Sequence, residues 1–176
     1  MSRKFIVYIA LLSLSFGAQA GLYLEPYLGL ELGKQTDTNV NESLVGTHVG
    51  GKLGWSYFNM AFGLDYMRGN LSAKESGQTD KSTSRDVGLF AQFKLPMVKF
   101  AATYFIDSQQ EMKNSPAEYG GSGYKLGVGF TAFPLVSLNL DYIVVNYDEL
   151  TGVGAATQMD LDRKSLLLSV SVPFSF

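Results

Sequence analysis

The chain has 176 residues, of which 46% are hydrophobic and 13% aromatic, with 19 glycines, no cysteine and a formal net charge of −2. This length suits one domain, and without cysteine there is neither a disulfide nor a lipid anchor attached through a thiol. The slightly acidic balance argues against nucleic-acid binding, which calls for a clustered basic surface.

The first twenty residues have the composition of a secretory signal peptide. Arg3 and Lys4 precede an apolar run from Phe5 to Phe16, and Ala18-Gln19-Ala20 follows as a small-residue cleavage site. The apolar run is shorter than the roughly 20 residues that a membrane-spanning helix needs. We predict cleavage after residue 20, a mature domain that spans residues 21–176, and export to the cell envelope.

After residue 20 the sequence alternates between apolar and polar residues, as strands do when one face lies in an apolar medium. In the first segment one face consists of Leu22, Leu24, Leu28, Leu30 and Leu32, and the other of Tyr23, Glu25, Tyr27, Gly29 and Glu31. Seven further segments alternate in the same way, near residues 45–57, 60–66, 86–95, 98–106, 124–130, 138–144 and 164–176. The sequence therefore predicts eight strands.

The occupants of the two faces distinguish a membrane barrel from a soluble one. Between the strand ends the apolar face has no charged residue, whereas the polar face carries nearly all the strand charges and many glycines. These charges are too few for a soluble surface, but small and polar residues fit a narrow interior. An apolar outside and a polar inside predict an all-β fold, an eight-stranded antiparallel up-and-down transmembrane β-barrel.

The predicted connections are short at one end of the barrel and long at the other. Tight turns are expected at Phe58-Asn59, Pro96-Met97 and Phe133-Pro134-Leu135. The other four connections are polar and are predicted to be long loops, near residues 35–44, 69–83, 107–121 and 147–163. In outer-membrane barrels the short turns face the periplasm and the long loops face the outside.

Three stretches resemble a known family: Glu25-Pro26-Tyr27-Leu28-Gly29, Leu140-Asp141-Tyr142 and the C-terminal row that ends in Val172, Phe174 and Phe176. With the signal peptide, they resemble the small outer-membrane β-barrel domain family that includes the membrane domain of outer-membrane protein A and its short relatives. The resemblance implies a barrel in the cell outer membrane and a C-terminal row that is recognised by the barrel-assembly machinery. It implies no activity, since the family has stabilising, adhesive, pore-forming and lipid-modifying members.

Charged residues of both signs lie on the predicted lumen face, namely Glu25, Glu31, Asp65, Asp86 and Asp141 with Lys52, Lys94, Lys99 and Lys125. Lone buried charges are costly, so these groups should form ion pairs. Lys52 is expected directly opposite Asp65, and Lys125 diagonal to Asp141. Such pairs either block the lumen or simply satisfy one another, and a narrow channel for ions or small solutes is the alternative.

Four basic residues lie on the outward face, each just beyond the last apolar residue of its strand: Lys34, Arg68, Arg85 and Lys164. Strands one and eight are neighbours in a closed barrel, as are strands three and four, so the four residues make two basic pairs. Lys and Arg suit phosphate oxygens, and we expect the phosphates of lipopolysaccharide at this height. Ordinary solvated charge at strand ends is the alternative.

Signals for catalysis or metal binding are weak. The single histidine, His48, is followed by Val49-Gly50 and lacks the nearby serine that a lipid A-modifying hydrolase would need. Asp148-Glu149 and Asp160-x-Asp162 fall in a predicted loop, where solvated charge is a simpler interpretation than a shaped Ca²⁺ site. The sequence predicts a monomeric, non-enzymatic surface protein without cofactor or metal, with a structural or adhesive role through its long loops.

Overall fold

The computed structural model describes residues 21–37, 40–75, 78–113, 117–133, 135–151 and 157–176, so the predicted signal peptide lies outside the described residues. This part of the chain forms strands β1 (Gly21–Asp37), β2 (Val40–Tyr57), β3 (Met60–Glu75), β4 (Gln78–Lys94), β5 (Val98–Met112), β6 (Glu118–Phe133), β7 (Val136–Thr151), β8 (Thr157–Ser171) and β9 (Phe174–Ser175). No helix among the described residues is long and apolar enough to cross a membrane.

The strands close into a single barrel. Each strand from β1 to β7 pairs antiparallel with the next, and β8 pairs back onto β1. The short β9 continues beyond β8 after Pro173 and also pairs with β1, where Phe174 lies opposite Leu24. The predicted eight-stranded antiparallel up-and-down barrel is confirmed. Val172, Phe174 and Phe176 lie on the segment that ends this closure, and their recognition by assembly machinery stays a prediction.

Side chains alternate between the two faces of the strands, as the sequence pattern predicts. On β1 the outward Leu28 and Leu30 are 66% and 58% exposed, whereas the inward Glu25 and Glu31 are 1% and 0% exposed. Around the barrel an apolar belt faces outward, and its transfer from water into lipid is favourable by roughly 25 cal/mol per Å². Closure also satisfies the strand edges, so the molecule has the arrangement of a transmembrane barrel.

The four long loops predicted near residues 35–44, 69–83, 107–121 and 147–163 are wrong in extent. The strands continue through most of these residues as hairpins, and the connections are only 38–39, 76–77, 113–117 and 152–156. The sequence prediction ends each strand where its apolar row ends. That point is the edge of the apolar belt and not the end of the strand. Polar residues such as Thr continue the hydrogen-bonded backbone ladder in water. We call this end of the barrel the hairpin end.

The tight turns at the opposite end, the turn end, agree with the predicted register. Tyr57 lies opposite Met60, which leaves two residues in the turn. Phe58, the first of them, has a φ of 52°, the left-handed conformation that such hairpin turns require. In the second turn the backbone N–H of Leu95 donates to the carbonyl oxygen of Val98 at 2.7 Å. Both predicted pairings are confirmed.

Candidate functional site in the lumen and on the rim

The lumen contains two clusters of buried charged and polar residues, one above the other. Nearer the turn end is the lower cluster, which consists of Glu25, Lys52, Asp65, Lys99, Lys125 and Asp141. Nearer the hairpin end is the upper cluster, which consists of Glu31, His48, Asp86, Tyr147 and Arg163. Every one of these residues is at most 6% exposed. Charges buried this deeply are costly unless they are paired and hydrogen-bonded.

Glu25 of β1 joins four strands at the base of the lower cluster. Its carboxylate accepts hydrogen bonds from the Lys99 ammonium and from the hydroxyls of Ser171 and Tyr23. The ammonium of Lys52 lies 3.7 Å from the same carboxylate. One acidic residue of β1 is thereby bound to basic residues of β2 and β5 and to a hydroxyl of β8.

Asp65 of β3 is the second acidic centre of the lower cluster and is fully buried. The ammonium of Lys125 lies 2.7 Å from its carboxylate. The hydroxyls of Tyr27 and Thr103 both donate to it at 2.8 Å. These contacts connect β3 with β1, β5 and β6 across the lumen, and they satisfy both carboxylate oxygens.

The ion pairs differ from those expected from the sequence. Lys52 lies directly opposite Asp65 on β3, as predicted, but it also lies directly opposite Glu25 on β1, and its ion pair is with Glu25. Lys125 is diagonal to Asp141, as predicted, but its ion pair is with Asp65. Lys125 of β6 reaches Asp65 of β3 because a barrel of eight strands is so narrow that side chains from opposite walls meet near its axis. Strand register alone therefore does not select the partner.

Arg163 of β8 is the centre of the upper cluster and is fully buried. Its Nε and Nη2 donate to the two carboxylate oxygens of Glu31 at 2.7 and 2.6 Å, a bidentate geometry that makes strong ion pairs. Its Nη1 donates to Asp86 at 3.4 Å and to the hydroxyl of Tyr147 at 3.3 Å. One guanidinium therefore binds residues of β1, β4 and β7.

The sequence prediction misses Arg163 because it assigns residues 147–163 to a loop. The alternation of the C-terminal strand contains the signal, since Leu161, Arg163, Ser165 and Leu167 share one phase. All four are buried in the lumen. Counting back by twos from Leu167, through Ser165, places Arg163 inside the barrel.

His48 of β2 belongs to the upper cluster and does not face the lipid. The residue is 3% exposed, and its Nε2 contacts the carboxylate of Glu31. Gly69 lies opposite it on β3, and a Cβ at that position would overlap the imidazole ring. The ring is therefore packed as a member of the ion-pair cluster, in space that a glycine provides.

Apolar side chains fill the lumen around the two charged clusters. The layer near the turn end consists of Tyr23, Ala61 and Phe90. The middle layer consists of Tyr27, Met67, Phe105, Ile143, Val145, Tyr147, Leu161 and Leu167. The layer at the hairpin end consists of Leu44, Leu71 and Ala73. Side chains thus occupy the lumen at every level, as expected for eight strands.

Among the residues that the structure describes, the acidic side chains at the hairpin end do not gather into a metal site. Within the described ranges, no group of three or more His, Asp or Glu side chains is placed to hold a metal ion. Asp148 and Glu149 are exposed on β7. Asp162 accepts a hydrogen bond from the Asn146 amide at 2.6 Å, while the side chain of Asp160 lies outside the described residues.

The four basic residues predicted on the outward face do lie there, and we call them the basic rim: Lys34, Arg68, Arg85 and Lys164. All four are exposed. Lys34 of β1 lies directly opposite Lys164 of β8, and Arg68 of β3 lies directly opposite Arg85 of β4. The rim thus consists of two cross-strand pairs of like charge.

One member of each rim pair has an acidic neighbour. Arg85 lies 3.3 Å from the carboxylate of Asp107, and Lys164 lies 3.0 Å from that of Asp162. These basic side chains remain 49% and 53% exposed, and solvent screens such pairs. In the part of the chain that the structure describes, no carboxylate lies within 4.0 Å of the Lys34 or Arg68 side chains.

Comparison with protein-family models gave no match, and comparison with curated proteins gave none either. Solved structures match over most of the chain. Neisserial surface protein A (NspA) has a TM-score of 0.57 and 16% identity, over 90% of this chain and 99% of that chain. Ail, the attachment invasion locus protein of Yersinia pestis, has a TM-score of 0.57 and 8% identity, over 89% of this chain and 100% of that chain.

A second structure of Ail, in complex with the heparin analogue sucrose octasulfate, has a TM-score of 0.58 and 9% identity, over 88% of this chain and 99% of that chain. Identities this low show a shared fold and not a shared activity. The chain therefore has the fold of the small eight-stranded outer-membrane β-barrels, as the resemblance in its sequence implies.

Proposed function

We propose that this protein is a non-enzymatic barrel of the cell outer membrane with a closed lumen, and that its role, structural or in surface interaction, is carried by its hairpin end. The observation that carries the proposal is the filling of the lumen by two buried ion-pair clusters. A channel would need a continuous aqueous path, whereas Arg163 and Lys125 reach across the lumen to carboxylates on other strands. The lumen charges therefore satisfy one another.

The apolar belt supports placement in the outer membrane. Membrane-spanning strands need about 9–11 residues, and β1 and β2 have 17 and 18 residues. The surplus lies at the hairpin end, beyond the last outward apolar residues, and is polar. We expect this end to face outside and the short turns to face the periplasm. The proposed signal peptide supplies the export that this placement requires.

The projecting hairpins supply surface for interaction. A groove of about 430 Å³ lies at the hairpin end between β5, β6 and β7, lined among others by Asp107, Glu118 and Glu149. A concave surface of this kind suits recognition better than a flat strand end does. Binding residues also concentrate in the solvent-exposed connections of a rigid scaffold. Ail, which shares the fold, was solved with a heparin analogue bound, and this supports a surface-interaction role.

Single-channel conductance of the refolded barrel in a planar bilayer tests the closed lumen. The protein should first run as a compact, heat-modifiable band on a gel, which shows that it is folded. We expect no conductance steps from the wild type. A Met67→Ala/Phe105→Ala variant, which removes side chains from the middle apolar layer without leaving a buried charge unpaired, should conduct and serves as the positive control. Discrete steps in the wild type that change with Lys52→Ala would contradict the proposal and favour a channel.

Mass spectrometry of lipid A tests the non-enzymatic role. Cells that overproduce the barrel should have the same lipid A masses as cells without it, because the single histidine is packed against Glu31 in the lumen. A mass change that disappears in a His48→Ala variant would show a lipid-modifying enzyme instead.

A further inference from the structure

We propose that the basic rim forms two phosphate clamps, Lys34 with Lys164 and Arg68 with Arg85, that bind the phosphates of lipopolysaccharide. This inference rests on the proposed placement of the hairpin end at the outer leaflet. It concerns only the outer face of the barrel, so it is independent of whether the lumen conducts.

The first observation is the register of the rim. Like charges directly opposite each other on neighbouring strands are destabilising, yet the structure places Lys34 opposite Lys164 and Arg68 opposite Arg85. The register also places Lys94 opposite Lys99 and Glu111 opposite Glu118. Only in the two clamps, among the described like-charge pairs, are both side chains basic and exposed. An anion between the two members of a pair removes the repulsion and gains two charge-assisted contacts.

The second observation is the position of each clamp along its strand. Lys34 and Lys164 come one outward position after Leu32 and Leu166, which also lie directly opposite each other. At the other clamp, Arg68 comes one outward position after Tyr66, a half-exposed ring suited to the membrane interface. The clamps therefore begin where the apolar belt ends. Long basic side chains at this level lay their stems along the belt and present their charge to the headgroup layer.

The third observation is the set of acidic neighbours. Asp162 of β8 contacts Lys164, and Asp107 of β5 contacts Arg85. In each clamp these contacts hold one basic side chain, while the described residues place no carboxylate within 4.0 Å of the other. Each clamp keeps a net positive charge, which suits a phosphate group. A Lys pair presents two ammonium groups, and an Arg pair presents two planar guanidinium groups whose N–H donors match phosphate oxygens.

Lipid is the source of phosphate that this geometry favours. The clamps are on the lipid-facing side of the barrel, so a phosphate that is attached to acyl chains is brought to them by the apolar belt. Free phosphate has no such second contact, and exposed Lys and Arg hold it weakly against salt. We therefore assign the clamps to the phosphorylated headgroup and not to phosphate in solution.

Binding of purified lipopolysaccharide to the folded barrel in detergent, measured by native mass spectrometry, tests the clamps. We compare the wild type with Lys34→Gln/Lys164→Gln and with Arg68→Gln/Arg85→Gln. The matched control is Lys81→Gln/Lys113→Gln, which removes two exposed basic residues of the same end outside the clamps. Each clamp variant should bind at least about tenfold more weakly, since it loses two charged contacts, and the control should bind as the wild type does.

Two further binding measurements identify the chemistry of the ligand. Lipopolysaccharide treated with phosphatase should bind the wild type as weakly as the clamp variants bind intact lipid. Inorganic phosphate at equal concentration should not displace the lipid; displacement would assign the sites to free phosphate and overturn the lipid assignment. Equal binding by wild type, clamp variants and control would overturn the clamps altogether.

A tag inserted between residues 76 and 77 separates a failure of the clamps from a failure of the proposed placement. Antibody access to this tag on intact cells is expected, because it reports the hairpin end outside. A hidden tag would overturn the placement on which the clamps depend. An accessible tag together with unchanged lipid binding in the clamp variants would overturn the clamps and leave the placement intact.

Discussion

The lumen and the basic rim use the same residue types in opposite surroundings. In the lumen, Arg163 and Lys125 are at most 2% exposed and contact carboxylates from other strands. On the rim, Lys34 lies opposite another lysine, Lys164, and both side chains are exposed. Burial makes an unpaired charge costly, whereas solvent makes a like-charge pair tolerable. The comparison teaches that lumen charges are satisfied by the fold itself, while rim charges remain available to an external anion.

The largest effect expected is from Arg163→Met. This change leaves Glu31 and Asp86 buried with no guanidinium, and breaking a buried pair in this way costs about 3–5 kcal/mol. Urea unfolding of the barrel in detergent micelles measures the loss. Lys164→Met, one residue along but on the outward face, is the control and should change the free energy of unfolding by less than about 1 kcal/mol. Equal losses of unfolding free energy in the two variants would contradict the proposed difference between lumen and rim.

A second comparison lies within the lower cluster. Lys125→Met removes an ammonium 2.7 Å from Asp65, and we expect a loss of about 3 kcal/mol. Lys52→Met removes an ammonium 3.7 Å from Glu25, which keeps its contacts with Lys99, so the loss should be smaller by at least half. The same urea titration distinguishes them. A larger loss for Lys52→Met would show that Lys52 also stabilises Asp65, its other directly opposite neighbour in the register.

Gly69→Ala tests the packing of the upper cluster without changing any charge. A Cβ at Gly69 would overlap the His48 ring, whereas a Cβ at Gly51 meets its nearest atoms only at 3.9 Å. Overpacking of this kind costs about 1–3 kcal/mol. We expect that loss from Gly69→Ala and a near-neutral result from Gly51→Ala. Tolerance of both substitutions would show that the imidazole has room to move.

The smallest effect expected is that of the rim in the absence of lipid. Lys34→Gln/Lys164→Gln removes a like-charge pair, so the free energy of unfolding should stay within about 0.5 kcal/mol of the wild type or rise slightly. Urea unfolding in detergent free of lipopolysaccharide measures it. A loss comparable to that of Lys125→Met would show that the rim has a structural role in the fold.

The sequence predicts the strands and their faces because one physical rule, an apolar outside and a polar inside, acts at every second residue. Leu28 and Glu31 are on the faces assigned to them, and the tight turn after Tyr57 follows from matched parity on both sides of it. The lumen residues Glu25 and Asp65 are likewise buried where the alternation puts them. These features depend only on local pattern.

Two features do not follow from the outward apolar rows. The strands extend beyond the apolar belt, where hydrophobicity no longer marks them, so Arg163 is assigned to a predicted loop although it shares the inward phase of Leu167. The choice of ion-pair partners depends on the width of the barrel, which brings Lys125 to Asp65 from the opposite wall. The rim pairs were predictable because Lys34 and Lys164 lie on strands that closure makes neighbours.

The difference between the two regions is tested most directly by the shift in urea midpoint that lipopolysaccharide produces in three proteins: the wild type, Lys125→Met and Lys34→Gln/Lys164→Gln. A ligand that binds the folded state raises its stability. The wild type and the lumen variant should gain the same increment, although the lumen variant starts from a lower midpoint, and the rim variant should gain less. An equal increment in all three proteins would contradict the assignment of the rim to lipid phosphate.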